Sequence, residues 1–196
     1  MDRVIEIIKI FPCVVIAIVI HEFAHAYVAY LMGDSSAKDS GRVSLNPFKH
    51  LDPLGIITLM IFRFGWAKPV PIDTSRFKNY NLGLFLVSIA GIVANLLLAF
   101  LLSLILKHVK ITNQYIFYFV FVTMIININL AIFNLIPLPP LDGSNIILSF
   151  FSKRTAYEIS RYSKYSYILL LVLIFTGNVG KILSPLITKI VNFLLS

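Results

Sequence analysis

The sequence is poor in charged residues and in cysteine. Only 13% of its 196 residues are charged and 58% are apolar, whereas soluble domains carry about 25% charged residues. Most of the chain must therefore face lipid or other apolar helices, which excludes an ordinary soluble protein. The single cysteine, Cys13, excludes a disulfide framework and a cysteine-based zinc site. We expect one integral-membrane domain over residues 1–196.

Acidic residues are also scarce. The chain has nine Asp and Glu against 17 Lys and Arg, which gives it a net charge of +8. A nucleic-acid-binding surface would gather such charge in a patch, but here it is scattered through short loops, and no nucleic-acid partner is expected. Ten of the 17 cations lie in the loops 33–53, 65–81 and 144–165. Because Lys and Arg are enriched in cytoplasmic loops of membrane proteins, these loops are predicted to face the cytoplasm.

Long apolar runs separate the basic loops. Segments 4–31, 82–106 and 115–135 are each long enough to cross a bilayer, which takes about 20 residues. Three further apolar runs are shorter or interrupted by charge: 54–64, 165–176 and 179–195. The first is a candidate re-entrant or shallow segment, and the last is either a final span or an interfacial amphipathic helix. The predicted fold class is an all-α polytopic membrane protein, a bundle of about five to six transmembrane or re-entrant segments.

One short stretch is not expected to be helical. Residues 65–71 contain prolines at alternate positions, Pro69 and Pro71. Proline has no N–H to donate and disfavours a helical conformation in the residue before it. The pattern therefore predicts a small extended, β-like segment.

Three ionisable residues interrupt the first apolar segment. His21, Glu22 and His25 form an H-E-x-x-H pattern. Residues four apart share a helix face, with Cβ atoms about 5–6 Å apart, so both imidazoles can bind one zinc ion. His21 lies ten residues before Leu31, or about 15 Å along a helix, which is deep for residues that merely form hydrogen bonds at the water interface. The pattern predicts a metal site with Glu22 as the general base.

A catalytic zinc ion needs a third protein ligand and an open position. Asp142 follows the apolar segment 115–135, and by the predicted orientation it reaches the same depth as the two histidines. It is therefore the predicted third ligand. His50 is the alternative, because it is close in sequence and can bind zinc. His108 is predicted to lie on the opposite side of the membrane and is excluded.

Five stretches of sequence occur in a recognisable order. They are HEFAHAYVAYLMGD (21–34), GRVSLNPFKHLDPLG (41–55), FGWAKPVPID (64–73), AGIVANLLLA (90–99) and NLIPLPPLDGSNI (134–146). In content and order they resemble the site-2 proteases, in particular the small bacterial branch without a PDZ or CBS domain. The resemblance covers nearly the whole chain, with one departure at Ile92, where family members often have proline.

The resemblance implies one zinc ion per chain, bound by His21, His25 and Asp142, with Glu22 as the base. It also implies that residues 65–71 hold the substrate as an extended strand.

The resemblance extends to amide side chains in the apolar segments. It implies that Asn134 contacts the substrate backbone or the developing oxyanion, with an inter-helix hydrogen bond as the alternative. For Asn95, which closes a G-x-x-x-N pattern, an inter-helix hydrogen bond is favoured over a substrate-binding or oxyanion role. Asn127 and Asn129 on the segment of Asn134 are further candidates that the sequence does not rank.

The implied function is hydrolysis of peptide bonds within or at the edge of the bilayer, in single-span membrane proteins or signal-peptide remnants. The expected location is a bacterial cytoplasmic membrane, crossed several times, with the active site toward the cytoplasm. The expected partners are the lipid bilayer and a transmembrane or membrane-anchored protein substrate. The alternative is a non-proteolytic zinc-binding membrane protein or scaffold, which could keep the three ligands without using Glu22 as a base.

Overall fold

The computed structural model describes residues 2–62 and 65–196, with side chains over 6–58 and 65–196. Within these ranges the chain is helical apart from its connecting loops, and no strand is present. The helices, in chain order, are α1 (Asp2–Leu31), α2 (Ser36–Asp39), α3 (Pro53–Phe62), α4 (Tyr80–His108), α5 (Gln114–Asn134), α6 (Asp142–Leu148), α7 (Lys153–Ser160), α8 (Ser163–Phe175) and α9 (Asn178–Leu195).

Four of the described helices are long and apolar enough to cross a membrane: α1 from Glu6 onward, α4, α5 and α9. Helices suit this role because they satisfy their own backbone hydrogen bonds where lipid offers none. The prediction of an all-α polytopic membrane protein is confirmed. The apolar run predicted at 54–64 corresponds to the short helix α3, and its last two positions lie outside the described residues.

The centre of the bundle is formed by α1, α4 and α5, which pack against one another. Fully buried alanines on each helix, among them Ala17, Ala99 and Ala131, allow the backbones to approach closely, as is usual between helices in lipid. Helix α9 packs against this unit, with its apolar side chains on the cluster around Met124 and Ile128. Large apolar side chains elsewhere on the helices remain exposed, as expected of a surface that faces lipid.

Asparagine side chains cap the N-termini of α4 and α5. Asn79 accepts a hydrogen bond from the Leu82 N–H at 3.1 Å, and Asn113 accepts one from the Tyr115 N–H at 2.9 Å. Each cap satisfies a backbone donor that has no partner within the helix. The caps mark where α4 and α5 begin.

Asp34 ties the end of α1 to the chain that follows the extended segment. Its carboxylate is fully buried and accepts hydrogen bonds from the Asp73 N–H at 2.7 Å and the Ser36 N–H at 3.0 Å. Burial alone would raise the pKa of Asp34, but the hydrogen bonds from Ser36 and Asp73 outweigh it and hold the pKa below its usual value. The chain can reach this position because Gly33 adopts φ 108°, a conformation that favours glycine.

The segment predicted to be β-like forms one antiparallel bridge, between Ala67 and Leu51. Beside it, the Lys68 N–H donates to the His50 carbonyl at 2.8 Å, and the Arg42 guanidinium donates to the Lys68 carbonyl. Lys68 is therefore held through both of its backbone groups, and the segment lies fixed against the 42–51 loop.

Candidate metal centre and cavity

His21 and His25 lie one turn apart on α1 with their rings in edge-to-face contact. Their Nε2 atoms are 3.0 Å apart, and each residue is only 6% exposed. Two imidazoles this close inside a helix bundle offer adjacent nitrogen ligands to one ion.

Asp142 meets the two histidines from a different part of the chain. It is the first residue of α6, after the proline-rich turn that follows α5. Its Oδ2 atom lies 3.1 Å from His21 Nε2 and 3.2 Å from His25 Nε2. The next residue is glycine because a methyl group at Gly143 would overlap the Leu135 carbonyl. The structure thus brings together the three residues that the sequence named as ligands.

The hydrogen-bond partners of the two Nδ1 atoms determine which tautomers His21 and His25 adopt. His25 Nδ1 lies 2.7 Å from the Val87 carbonyl, which can only accept, so Nδ1 carries the proton. His21 Nδ1 lies 2.7 Å from Asn95 Oδ1, which likewise accepts. Both Nε2 atoms therefore direct a lone pair toward Asp142, as metal-binding histidines do when their second nitrogen donates a hydrogen bond.

This donor set fits a zinc ion. Asp142 Oδ2 is buried and accepts no hydrogen bond from the described residues, although it lies beside two nitrogen lone pairs. Three such atoms repel one another unless a cation lies between them. Ligands about 2.0–2.1 Å from a tetrahedral zinc ion are about 3.3 Å apart, close to the observed separations of 3.0, 3.1 and 3.2 Å.

The two other histidines lie elsewhere. His50, the alternative third ligand, is fully buried, and its Nε2 lies 2.6 Å from the Ser44 carbonyl. It stabilises the 44–50 loop and is not grouped with the three candidate ligands among the described residues. His108 is exposed and is the last residue of α4.

Gly91 of α4 lies against both imidazoles. A methyl group at this position would be 2.5 Å from His21 Nδ1 and 2.6 Å from His25 Nε2, well inside van der Waals contact. The glycine of the G-x-x-x-N pattern therefore makes room for the rings, in addition to allowing α4 and α1 to approach.

A cavity of about 360 Å³ opens beside the candidate metal centre. Glu22 lines it together with the three ligands, so the predicted base has access to the same space as the ion would. The other lining residues come from the extended segment and the loop after it, from α4 and α5, and from the turn before α6 and α6 itself; they include Pro69, Val70, Ser88, Asn134 and Asn145.

The two asparagines named from the sequence occupy different positions. Asn134 lines the cavity, and its Nδ2 donates to the Leu130 carbonyl at 2.9 Å. Asn95 is fully buried behind His21. Its Nδ2 donates both hydrogens, to the Ala17 carbonyl at 3.0 Å and to Asn127 Oδ1 at 2.6 Å.

Arg42, which the sequence did not single out, lies beside this site. Its side chain is only 4% exposed, and its guanidinium holds the Lys68 carbonyl. Burial lowers the pKa of Arg42, and the negative charge of Glu22 partly offsets that effect. The only available sequence signal was its place in the G-R-V-S-L-N-P stretch.

Asn145 is a second lining residue that the sequence did not single out. It follows Asp142 by three residues on α6, and that helical spacing was the signal that could have identified it.

Comparison with known proteins gives a consistent result. The family model described as "Peptidase family M50" matches residues 104–176. A Bacillus subtilis protein named "Putative zinc metalloprotease YwhC" is 39% identical over 200 residues, covering 95% of this chain and 91% of that protein.

More distant similarity extends to mycobacterial proteins. "Putative zinc metalloprotease Rip2" of Mycolicibacterium smegmatis is 28% identical over 168 residues, covering 80% of this chain and 62% of that protein. The Mycobacterium tuberculosis protein of the same name is 26% identical over 163 residues, covering 81% and 63%. No solved structure matches the chain significantly.

Proposed function

Because this chain belongs to peptidase family M50, we propose that it is an intramembrane zinc protease of the site-2 type. It hydrolyses peptide bonds of single-span membrane proteins or signal-peptide remnants, within or at the edge of the bilayer. The observation that carries this proposal is the convergence of His21, His25 and Asp142 beside a cavity lined by Glu22.

One zinc ion per chain would be held by the two Nε2 atoms and Asp142 Oδ2, with a fourth position open to the cavity. When bound, zinc acts as a Lewis acid that makes water nucleophilic near neutral pH and polarises a carbonyl.

Glu22 is the proposed general base. It takes a proton from the attacking water as the new carbon–oxygen bond forms at the scissile carbonyl. It then delivers that proton to the leaving nitrogen as the carbon–nitrogen bond breaks. Its neighbour in sequence, His21, is a proposed ligand, so the base is adjacent to the proposed reaction centre.

Asn134 is the proposed stabiliser of the developing oxyanion. Only one of its two Nδ2 hydrogens is needed for the bond to Leu130, so the other is available to the cavity. An amide donor that is already positioned stabilises the negative charge formed during acyl transfer.

The extended segment is the proposed substrate-binding edge. Backbone groups of successive residues in an extended chain point to opposite sides. Lys68 uses both of its groups toward the 42–51 loop, so those of Pro69 and Pro71 face the other way. Proline has no N–H, and this edge therefore offers carbonyl acceptors to an unwound substrate, whose N–H groups would donate.

We also propose that the site opens toward the cytoplasm of a bacterial cell. The basic loops 33–53, 65–81 and 144–165 flank the site residues in sequence, and the enrichment of Lys and Arg in cytoplasmic loops supports this orientation. The same cations suit contact with anionic lipid head groups.

The test is cleavage of a single-span substrate by purified wild type and by Glu22→Gln in detergent. We expect equal zinc content and cleavage at least about 10²-fold slower in the variant, as for loss of a general base. Equal cleavage by the variant would refute the role of Glu22. Zinc binding without cleavage by wild type would favour the alternative, a non-proteolytic zinc-binding membrane protein or scaffold.

A further inference from the structure

Asn127 is a buried amide in the middle of α5 that does not line the cavity of the candidate site. The residue is fully buried, and both ends of its side chain are hydrogen-bonded. Its Nδ2 donates to the Thr123 carbonyl at 2.8 Å, and its Oδ1 accepts from Asn95 Nδ2 at 2.6 Å.

The orientation of this amide is determined by its own helix. The Thr123 carbonyl can only accept a hydrogen bond, so the atom facing it must be the Asn127 nitrogen. The Asn127 oxygen then faces Asn95, where it requires a donor.

The same reasoning determines the orientation of the Asn95 amide. Its nitrogen faces two acceptors, the Ala17 carbonyl and Asn127 Oδ1. The Asn95 oxygen is therefore turned toward His21 Nδ1, which must carry the proton. The lone pair of His21 is left on Nε2, the atom that faces His25 and Asp142.

The two histidines differ in how their tautomers are determined. His25 donates to a backbone carbonyl, that of Val87, which cannot reverse its polarity. His21 depends on the side-chain amide of Asn95, whose orientation is held by two acceptors, the Ala17 carbonyl and Asn127 Oδ1. Loss of Asn127 removes one of these two acceptors and makes reversal of the amide less costly. A reversed amide would favour the proton on Nε2 and block metal binding there.

We propose that Asn127 is a positioning residue for the metal centre, acting through Asn95 to keep the His21 lone pair directed at the ion. This inference rests on the proposed function in one respect, that His21 is a zinc ligand. The competing explanation is a hydrogen bond that only joins α4 to α5, as polar side chains do between membrane helices.

The experiment measures zinc affinity by chelator competition in purified, detergent-solubilised protein. We expect Asn127→Leu to bind zinc about tenfold more weakly than wild type, the lower end for partners that orient a ligand. Asn127→Asp should bind nearly as wild type, because a carboxylic acid buried beside the Thr123 carbonyl, which can only accept, stays protonated and reproduces both hydrogen bonds. Asn129→Leu is the matched control, since Asn129 is exposed on the same helix and its Nδ2 donates to the Ile125 carbonyl of that helix.

A double-mutant cycle separates positioning from helix packing. If Asn127 acts through Asn95, adding Asn127→Leu to Asn95→Ala weakens zinc binding no further. Should Asn127→Leu fail to fold, Asn127→Ser replaces it in the cycle, because its shorter side chain cannot reach Asn95.

Two results would overturn the inference: zinc affinity unchanged by the Asn127 substitution, or an equal loss with and without Asn95. In both cases wild type still binds zinc, so the proposed function stands. Absence of zinc binding by wild type would instead overturn the proposed function and this inference together.

Discussion

Gly91 of α4 lies so close to His21 of α1 that a single added methyl group would be 2.5 Å from the imidazole Nδ1. The contact connects the packing of two helices to the geometry of the metal centre. A side chain at this position cannot be accommodated unless His21 gives up its hydrogen bond to Asn95 or α4 moves away.

The first prediction follows from this contact. Gly91→Ala should lower zinc affinity by at least about tenfold, as for other changes that disturb the orientation of a ligand. The measurement is chelator competition on the purified variant. Gly180→Ala is the control, because a methyl group there meets no atom of the described part of the chain within 4 Å. Equal affinities in the two variants would show that His21 tolerates displacement.

The second prediction concerns Arg42. Arg42→Met keeps the unbranched, apolar part of the side chain but loses the guanidinium and its hydrogen bond to the Lys68 carbonyl, so the extended segment is held less firmly. We expect KM for a single-span substrate to rise by about tenfold, which corresponds to about 1.4 kcal/mol. Arg76→Met is the control, since Arg76 is exposed and pairs at the surface with Asp73. An unchanged KM would show that the extended segment does not contribute to substrate binding.

The third prediction concerns the carbonyls of Pro69 and Pro71. If they accept hydrogen bonds from the substrate, every second substrate residue near the cleavage site donates its N–H to the enzyme. N-methylation at those alternate residues should slow cleavage, and N-methylation at the residues between them should not. The loss should be about tenfold per methyl group, as for one hydrogen bond of about 1.5 kcal/mol. A series of substrates methylated one position at a time checks this, with the unmethylated substrate as reference. Sensitivity with no two-residue period would argue against strand pairing.

The sequence was sufficient to predict three of the four described helices that are long enough to cross a membrane, and the candidate metal ligands; it left open whether α9 spans. Spans are recognisable because a run of about 20 apolar residues matches the thickness of the bilayer and is rare in soluble proteins. His21, His25 and Asp142 stand out because ionisable groups inside a membrane are costly and need a partner. No such local signal marks Asn127 or Arg42, whose partners lie on elements distant in sequence.

The structure of the extended segment could also be predicted only in part from the sequence. Prolines at alternate positions indicated that residues 65–71 avoid a helix, but the extent of pairing depends on the partner. Pro69 and Pro71 cannot donate to a ladder, so in the described residues pairing is confined to the bridge at Ala67 and the bond at Lys68. The depressed pKa of Asp34 also required the structure, because it depends on the N–H of Asp73.

The fourth prediction uses that depressed pKa. A carboxylate whose pKa is lower in the folded state stabilises the fold above the unfolded pKa of about 3.9, and this contribution is lost as pH falls through the folded pKa. At pH 7, Asp34→Asn should destabilise the protein by about 1–2 kcal/mol, since hydrogen bonds to a charged acceptor are stronger than neutral ones.

The measurement is the apparent melting temperature of both proteins in detergent between pH 7 and pH 3. The difference between wild type and Asp34→Asn should shrink as the pH falls below about 4. Asp39→Asn is the control, because Asp39 is exposed and its carboxylate accepts a hydrogen bond from the Ser35 hydroxyl at the surface. A difference that grows on acidification would contradict the assigned direction of the pKa.

Zinc K-edge X-ray absorption, combined with metal analysis of the purified protein, examines the proposed metal centre most directly. We expect one zinc ion per chain, with two imidazole nitrogens and oxygen ligands at about 2.0–2.1 Å, and loss of this coordination in His25→Ala and Asp142→Ala. Protein that cleaves substrate without stoichiometric zinc, or a coordination shell that survives both substitutions, would contradict the assignment of His21, His25 and Asp142.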